Sequence, residues 1–333
     1  MKKALLILLL LICFILEGHT SNNEVSLMFT GDILLDRGVK TFLIQNGYDY
    51  PYINVKKLLT EADITFGNLE CPITDGGAPV FKRRDLIFKG DYNNAIALKN
   101  AGYDILNLAN NHTMDQGREG LQDTINALKN EGMNYLGAGR DRFAAHKPVV
   151  IEKSGIKIGF LGYSDFSGEG YIYTEDNYGI CNIDEKSLKE DISKARENCD
   201  FLIVSIHYGV EFNFYPSKTQ KRYNHLAVDS GADLVIGHHP HVLQGFEEYR
   251  GKYIFYSLGN FVFDKQIPKG TEESMILNIR IGRDGIKDYE IIPVKIESCQ
   301  PKIAEGSDKE YIFERIKLYS KGINEMQDTQ EVN

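Results

Sequence analysis

Short β-rich apolar runs that each end abruptly in a polar cluster constrain the fold of this chain more than any other feature. Val25–Thr30 runs into Gly31 and Asp32, Ile64–Phe66 into Gly67-Asn68-Leu69-Glu70, and Ile105–Leu108 into Asn110-Asn111-His112. Phe201–Ile206 leads to His207, Leu234–Ile236 to Gly237-His238-His239-Pro240-His241, and Tyr253–Tyr256 to Ser257-Leu258-Gly259-Asn260. A further run spans Ile156–Leu161. Between the runs, apolar residues recur at helical spacing: Val55, Leu58, Leu59 and Ala62; Leu121, Ile125 and Leu128; Leu188, Ile192 and Ala195. Strands alternating with such helices predict βαβ units and covered sheets, an α/β fold. In α/β sheets ligands collect at the carboxyl ends of strands, so the polar clusters are expected to converge on one rim. Met275–Ile281 and Ile286–Ile296 flank Arg283-Asp284-Gly285, a hairpin signal.

The chain has 333 residues, 42% of them hydrophobic, which is ample for a buried core and excludes a disordered or collagen-like chain. A net charge of −9 argues against a nucleic-acid binder, which carries a basic footprint. An anionic partner would need a local attraction such as a metal ion. Lys2 and Lys3 precede an apolar run from Ala4 to Leu16. That pattern predicts a secretory signal peptide or an N-terminal membrane anchor over residues 1–21, with everything after it extracytoplasmic: secreted, or anchored and facing outward. Residues 24–297 read as one domain, because no repeat or linker interrupts them. Residues 298–333 read as a polar tail in which Ile312, Ile316 and Tyr319 predict a peripheral helix. None of the cysteines falls in a CxxC spacing, so a cysteine zinc site is not expected and the thiols read as buried or free.

The histidines carry the chemistry. There are eight, three of them within Gly237–His241. Pro240 imposes extended geometry, so His239 and His241 face one ion if the loop curves. Imidazole with carboxylate suits manganese, iron or zinc. Asp32 and Glu70 supply anionic ligands and Asn111 a neutral oxygen. Two divalent ions ~3.5–4 Å apart, bridged by a carboxylate, would clamp the attacking and leaving oxygens of a hydrolysis. His112 would then give a proton to the leaving group. The alternative for this segment is a helix start capped by Asn110 or Asn111.

Taken in order, Gly31-Asp32-Ile33-Leu34-Leu35-Asp36-Arg37, Gly67-Asn68-Leu69-Glu70, Ala109-Asn110-Asn111-His112, His207-Tyr208-Gly209-Val210-Glu211, Gly237-His238-His239-Pro240-His241 and Ser257-Leu258-Gly259-Asn260-Phe261 resemble the CapA family. This is the bacterial capsule and poly-γ-glutamate synthesis group (PGA_cap), and the match runs from about Glu24 to Ile296. The resemblance implies a four-layer α/β/β/α metallophosphatase-like sandwich, two packed sheets covered by helices. It implies Asp32 on one metal, Glu70 as the bridging carboxylate, Asn111 on the second metal and His112 as the acid. His207 matches the isolated strand-end histidine, and His239 and His241 the closing pair. Glu211 resembles part of the family's site, as ligand, base or orienting residue. Leu34 departs from the pattern, standing where metallophosphatases carry a ligand histidine; His238 or Asp36 are the substitutes.

Arg37, Asn68 and Asn110 are the substrate-binding expectations, with Arg37 alternatively an ion-pair partner of Asp36. Lys82-Arg83-Arg84 with Lys89 is a solvated basic face or a contact for a polyanion, and Phe81, Phe88 and Tyr92 beside it read as core. Ser257 to Asn260 reads as a turn supporting the rim. The expected function is extracytoplasmic capsule or poly-γ-glutamate biosynthesis with a metal-dependent hydrolase site, acting on a phosphoester or amide bond and using one or two divalent ions. The alternative is a non-catalytic polymer-binding or export and assembly factor on the same fold. Expected partners are an acidic cell-envelope polymer or its precursor and other capsule-synthesis membrane proteins, with no nucleic acid.

Overall fold

The computed structural model describes residues 24–166, 177–265 and 267–328. The signal or anchor expected over residues 1–21 lies outside them. The apolar runs become strands, and those that begin at Val25, Ile64, Phe201 and Leu234 extend into the polar clusters that follow them. An 8-stranded sheet contains β1 (Val25–Ile33), β2 (Ile64–Leu69), β3 (Ile105–Asn107), β4 (Asn134–Leu136), β13 (Asn260–Val262), β14 (Glu273–Gly282), β15 (Gly285–Glu297) and β16 (Gln300–Ile303). Its order is β16-β15-β14-β1-β2-β3-β4, with β13 beside the end of β1. A 6-stranded sheet contains β6 (Val149–Lys153), β7 (Ile156–Ser164), β9 (Phe201–His207), β10 (Leu234–His238), β11 (Phe246–Tyr249) and β12 (Lys252–Phe255), in the order β11-β12-β10-β9-β7-β6. β5 (Ala138–Gly139) and β8 (Gly179–Ile180) form a small separate pair.

The sheets pack face to face. Leu27, Phe29, Phe66 and Ile105 from the first meet Ile158, Phe160, Ile203, Ile236 and Phe255 from the second in one buried cluster. The outer face of the first sheet is covered by α1 (Arg37–Asn46), α2 (Lys56–Glu61), α3 (Asn93–Ala101) and α4 (Gly117–Asn130). There Val39, Leu43, Leu59, Leu98, Leu121, Ile125 and Leu128 pack against Met28 and Leu106. The second sheet's outer face carries α5 (Arg142–Ala145), α6 (Glu185–Arg196) and α7 (Lys218–Asp229), with Leu188, Ile192, Ala195 and Ala227 against Leu161, Leu202, Val204 and Val235. This is the α/β/β/α sandwich expected from the sequence. Strands buried on both faces explain why β1, β9 and β10 read as continuous apolar runs rather than as alternation. Phe29 is 0% exposed, and truncating such a ring to alanine costs about 3–5 kcal/mol.

Two readings change. The segment after residue 298 contains the expected helix but is not peripheral. It supplies edge strand β16 and α8 (Gly306–Asp328), whose Ile312, Ile316 and Ile323 are buried and whose Ser320 Oγ accepts from Phe246 N at 3.0 Å. Phe81 is 98% exposed and not core, although Phe88 is buried and Tyr92 is half-buried against the first sheet's helices.

Strand register lines up the rim. Asp32 lies level with Asn68 and Asn260, Asn68 with Asn107, and His238 with His207. A parallel sheet places those carboxyl ends on one edge, which is where the site forms.

Candidate metal centre

The donors at the rim arrive on strand ends or in the segments just past them. β1 runs so close to the 257–260 turn that a Cβ on Gly31 would lie 2.0 Å from the Gly259 carbonyl oxygen, a contact only glycine permits. Asp32 N donates to that same oxygen at 3.0 Å, fixing the aspartate at the strand's end. β10 delivers the histidine loop. His239 and His241 both have left-handed backbone, with φ of 96° and 57°, where extended geometry was expected from Pro240. That curvature turns both rings inward. Non-glycine residues held in such conformations cost of order 1–3 kcal/mol each and concentrate at functional sites.

The inward side chains converge. His241 Nδ1 lies 3.3 Å from Asp32 Oδ2 and its Nε2 3.8 Å from Glu70 Oε1. His207 Nε2 lies 2.9 Å from Asn111 Oδ1, 3.1 Å from His239 Nδ1 and 3.6 Å from Glu70 Oε1. The backbone N–H of His239 donates to Asp32 Oδ2 at 3.2 Å. Asp32, Glu70, Asn111, His207, His239 and His241 are thus brought together in a buried cluster.

Asn68, expected on substrate, is fully buried, and its amide donates to Asp32 Oδ1 at 2.8 Å and meets His207 Nδ1 at 3.2 Å. Asn107 donates to the Asn68 carbonyl oxygen at 2.9 Å and so orients it. Asn110, also expected on substrate, is fully buried too. Its amide donates to Leu69 O at 2.8 Å while its oxygen accepts from His112 N at 3.1 Å and Thr113 N at 3.0 Å, the local capping that the sequence allows. His112 Nδ1 pairs with Asp115 Oδ2 at 2.9 Å, its ring stacks on Phe88 at 4.1 Å, and Lys82 reaches both His112 and Asp115. Of the basic run, Lys82 therefore turns inward, whereas Arg83 is exposed and pairs with Asp85.

Arg37 pairs with Asp264 at 2.5 Å and not with Asp36, whose carboxylate accepts from Lys89 N at 2.7 Å. Its guanidinium lies between Phe88 and Phe263, 4.9 and 5.2 Å from the ring centroids. Phe263 in turn contacts the His241 ring at 4.9 Å. Glu211 is solvent-exposed on the loop after β9, near enough for its charge to be felt at Glu70 and His241. Leu34 is fully buried against the helices of the first sheet. His238, by contrast, is buried with Nδ1 3.4 Å from Asp32 Oδ1 and has no hydrogen-bond partner on either ring nitrogen. Nothing local in the sequence marks Asp264, which lies 227 positions from its partner. Asp115 carries a usable signal, because a carboxylate three residues after a histidine lies on the same side of a turn.

Burial governs the electrostatics. It opposes ionisation of Asp32, but the neighbouring His238 and His241 imidazoles outweigh it and hold the carboxyl well below its ordinary value. Burial drives Glu70 well above its ordinary value, with Asp32 adding to the effect against His241. His239 is pushed down to about 3 by burial and by neighbouring His241. His207 falls well below its usual range for the same reason, burial first and His239 next. His241 resists burial and rises to about 9 because Glu70 and Asp32 favour its cation. Burial also lowers His112, against the pull of Asp115.

One atom pair tests whether a cation fits. Both carboxylate oxygens of Glu70 are buried without a hydrogen-bond partner. A carboxylate left so is costly unless a cation completes it. Glu70 is shared by two groups that could each hold an ion, Asp32 with Glu70 and His207, and Glu70 with His239 and His241; the donor atoms of each lie within 4.8 Å of one another. Nitrogen and oxygen donors of this kind match a divalent first-row metal.

Comparison with known proteins identifies the family and the fold. Residues 26–265 match the family model described as bacterial capsule synthesis protein PGA_cap. The chain is 34% identical to the capsule biosynthesis protein CapA of Bacillus anthracis, over 91% of this chain and 76% of that protein. It is 32% identical to the PGA biosynthesis protein CapA of Bacillus subtilis (strain 168), over 84% of this chain and 74% of that protein. A hypothetical protein from Thermus thermophilus shares the fold, with a TM-score of 0.52 and 14% identity over 81% of this chain and 99% of that one.

Proposed function

This chain belongs to the bacterial capsule synthesis family PGA_cap, and from that premise we propose that it is an extracytoplasmic, metal-dependent hydrolase of capsule or poly-γ-glutamate biosynthesis. The observation that carries the reading is Glu70, a fully buried carboxylate without a hydrogen-bond partner, common to both candidate ion positions. Asp32, Glu70, Asn111, His207, His239 and His241 would hold one or two ions of manganese, iron or zinc. His238 is the substitute for the ligand lost at Leu34; Asp36, tied to Lys89, is not. Bound ions of this type supply Lewis-acid polarisation of the scissile bond and a water molecule of lowered pKa.

The chain's own residues supply the rest. Asp115 holds Nδ1 of His112, which leaves Nε2 to pass a proton to the departing group. Asn68 fixes Asp32 and His207, so the donor set is organised before substrate arrives. Arg37 is the anion anchor: Asp264 and two aromatic rings fix its plane, and its Nε is buried without an acceptor, a donor that a carboxylate or phosphate oxygen of the substrate would satisfy. The substrate bond is a phosphoester or an amide of an acidic cell-envelope polymer or its precursor. Turnover of phosphoester and γ-glutamyl amide substrates by the purified chain, abolished by chelator and restored by manganese, tests the proposal. Full turnover by a His239→Ala/His241→Ala variant would refute it.

The second reading, a polymer-binding or export and assembly factor without catalysis, rests on Leu34. A side chain buried among the helices gives no donor at that position. Tight binding of the polymer by the chain, with no cleavage after reconstitution with each metal, would favour it.

A further inference from the structure

Away from the rim, on the outer face of the second sheet, a different set of donors meets. His146 closes α5, Cys181 follows β8, and Asp191 lies on α6. One donor atom from each lies within 4.8 Å of the others. The three elements are fixed independently. Asp141 caps α5 by accepting from Ala144 N at 2.7 Å, and Asp184 caps α6 by accepting from Ser187 N at 2.9 Å. A Cβ on Gly139 would lie 2.6 Å from Ala145 N, so α5 sits directly on β5 with His146 at its end. Asp191 is oriented from behind: Tyr163 OH donates to Oδ2 at 3.1 Å, while His146 Nδ1 meets the same oxygen at 2.7 Å. His146 and Asp191 line a cavity of about 520 Å³ with Arg142, Phe143, Ser187 and Glu190, and their side chains are 14% and 15% exposed. The site is therefore reachable from solvent, with room for a water molecule as a further ligand.

We propose that His146, Cys181 and Asp191 form a second metal site, independent of the rim centre, that takes zinc or a similar thiophilic divalent ion. Sulfur, nitrogen and oxygen donors in one site select zinc over manganese, magnesium or calcium. Tyr163 plays the outer role, holding the ligating carboxylate. Uptake of the ion breaks the Cys181 S–H bond, forms a sulfur–metal bond and releases one proton to solvent. The bound ion would tie α5, β8 and α6 together over the second sheet.

Cobalt(II) separates this site from the rim, where every expected donor is nitrogen or oxygen. The chelator-stripped full chain, titrated with cobalt(II), should develop the near-ultraviolet sulfur-to-cobalt charge-transfer band, saturating at one ion per chain and reversed by zinc. Cys181→Ser should abolish the band, His146→Ala should weaken cobalt binding at this site at least tenfold, and His239→Ala should leave the band intact even if the rim reading fails. Circular dichroism of both site variants establishes that they are folded, and His146→Ala, at a partly exposed position, carries the test if Cys181→Ser is not. Absence of the band at saturating cobalt, or its persistence in folded Cys181→Ser, overturns the proposal.

Discussion

Two glutamates, Glu70 and Glu247, are both fully buried, yet the protein treats them oppositely. Glu247, on β11, meets His225 Nε2 at 2.6 Å and accepts from Tyr256 OH at 2.7 Å. Glu70, just past β2, has no hydrogen-bond partner on either oxygen. A carboxylate kept for the fold is satisfied by the fold. One left unsatisfied among histidines, with a second buried carboxylate beside it, is the group on which the proposed metal centre rests. The same contrast separates donors: Lys252 and Arg196 both pair with Asp233, whereas Arg37 keeps a buried Nε without an acceptor next to the rim.

The largest expected effect lies on the satisfied side. Glu247→Leu strands His225 and the Tyr256 hydroxyl, and urea unfolding should report a loss of about 3–5 kcal/mol. Next comes Glu70→Gln, which should weaken manganese or zinc binding at the rim at least a hundredfold, about 2.7 kcal/mol at 1.36 kcal/mol per decade. In chelator, Glu70→Met should leave stability equal to wild type or higher, because an apolar side chain of similar shape removes an unsatisfied acceptor. A loss there as large as that of Glu247→Leu would erase the contrast between the two glutamates.

Arg37→Lys tests the donor side. It keeps the charge but not the planar fork, so KM for anionic substrates should rise about tenfold with metal content unchanged. Unchanged KM would remove Arg37 from the substrate site. The smallest effect belongs to an exposed, satisfied carboxylate. Burial opposes ionisation of Asp184, but hydrogen bonds from Ser187 win and hold its carboxyl below the ordinary value. Asp184→Ala should cost about 1 kcal/mol at neutral pH. A depressed folded pKa means that contribution is present above the unfolded value of Asp and is lost as pH falls through the folded one, so wild type and variant should converge in acid. A constant gap down to strong acid would show that the cap acts without its charge.

Much of this is legible in the sequence because it is local. Apolar runs that end in Asp32, Glu70, His207 and His238 announce strands buried on both faces and a rim beyond them. What is not legible depends on distance or on backbone geometry. Arg37 meets Asp264 across 227 positions, and no periodicity encodes such a pair. The left-handed turns at His239 and His241 contradict the extended bias around Pro240, and strain of that kind persists where a site demands it. Phe81 reads as core from its neighbours in sequence, yet the irregular loop around it has no period that would assign it a face. Charged residues hide the extent of the helix over Gly306–Asp328, although its Ile312, Ile316 and Ile323 hold one buried stripe.

Divalent-ion stoichiometry of the purified chain, with and without Glu70→Gln, bears most directly on the rim centre. A His146→Ala background keeps the thiol site from contributing to the count. After stripping and reconstitution with manganese, iron or zinc, that chain should hold one or two ions, and adding Glu70→Gln should lose every one of them because the carboxylate is common to both positions. No bound ion with any of the three metals, or full retention after Glu70→Gln, would contradict a centre built around Glu70.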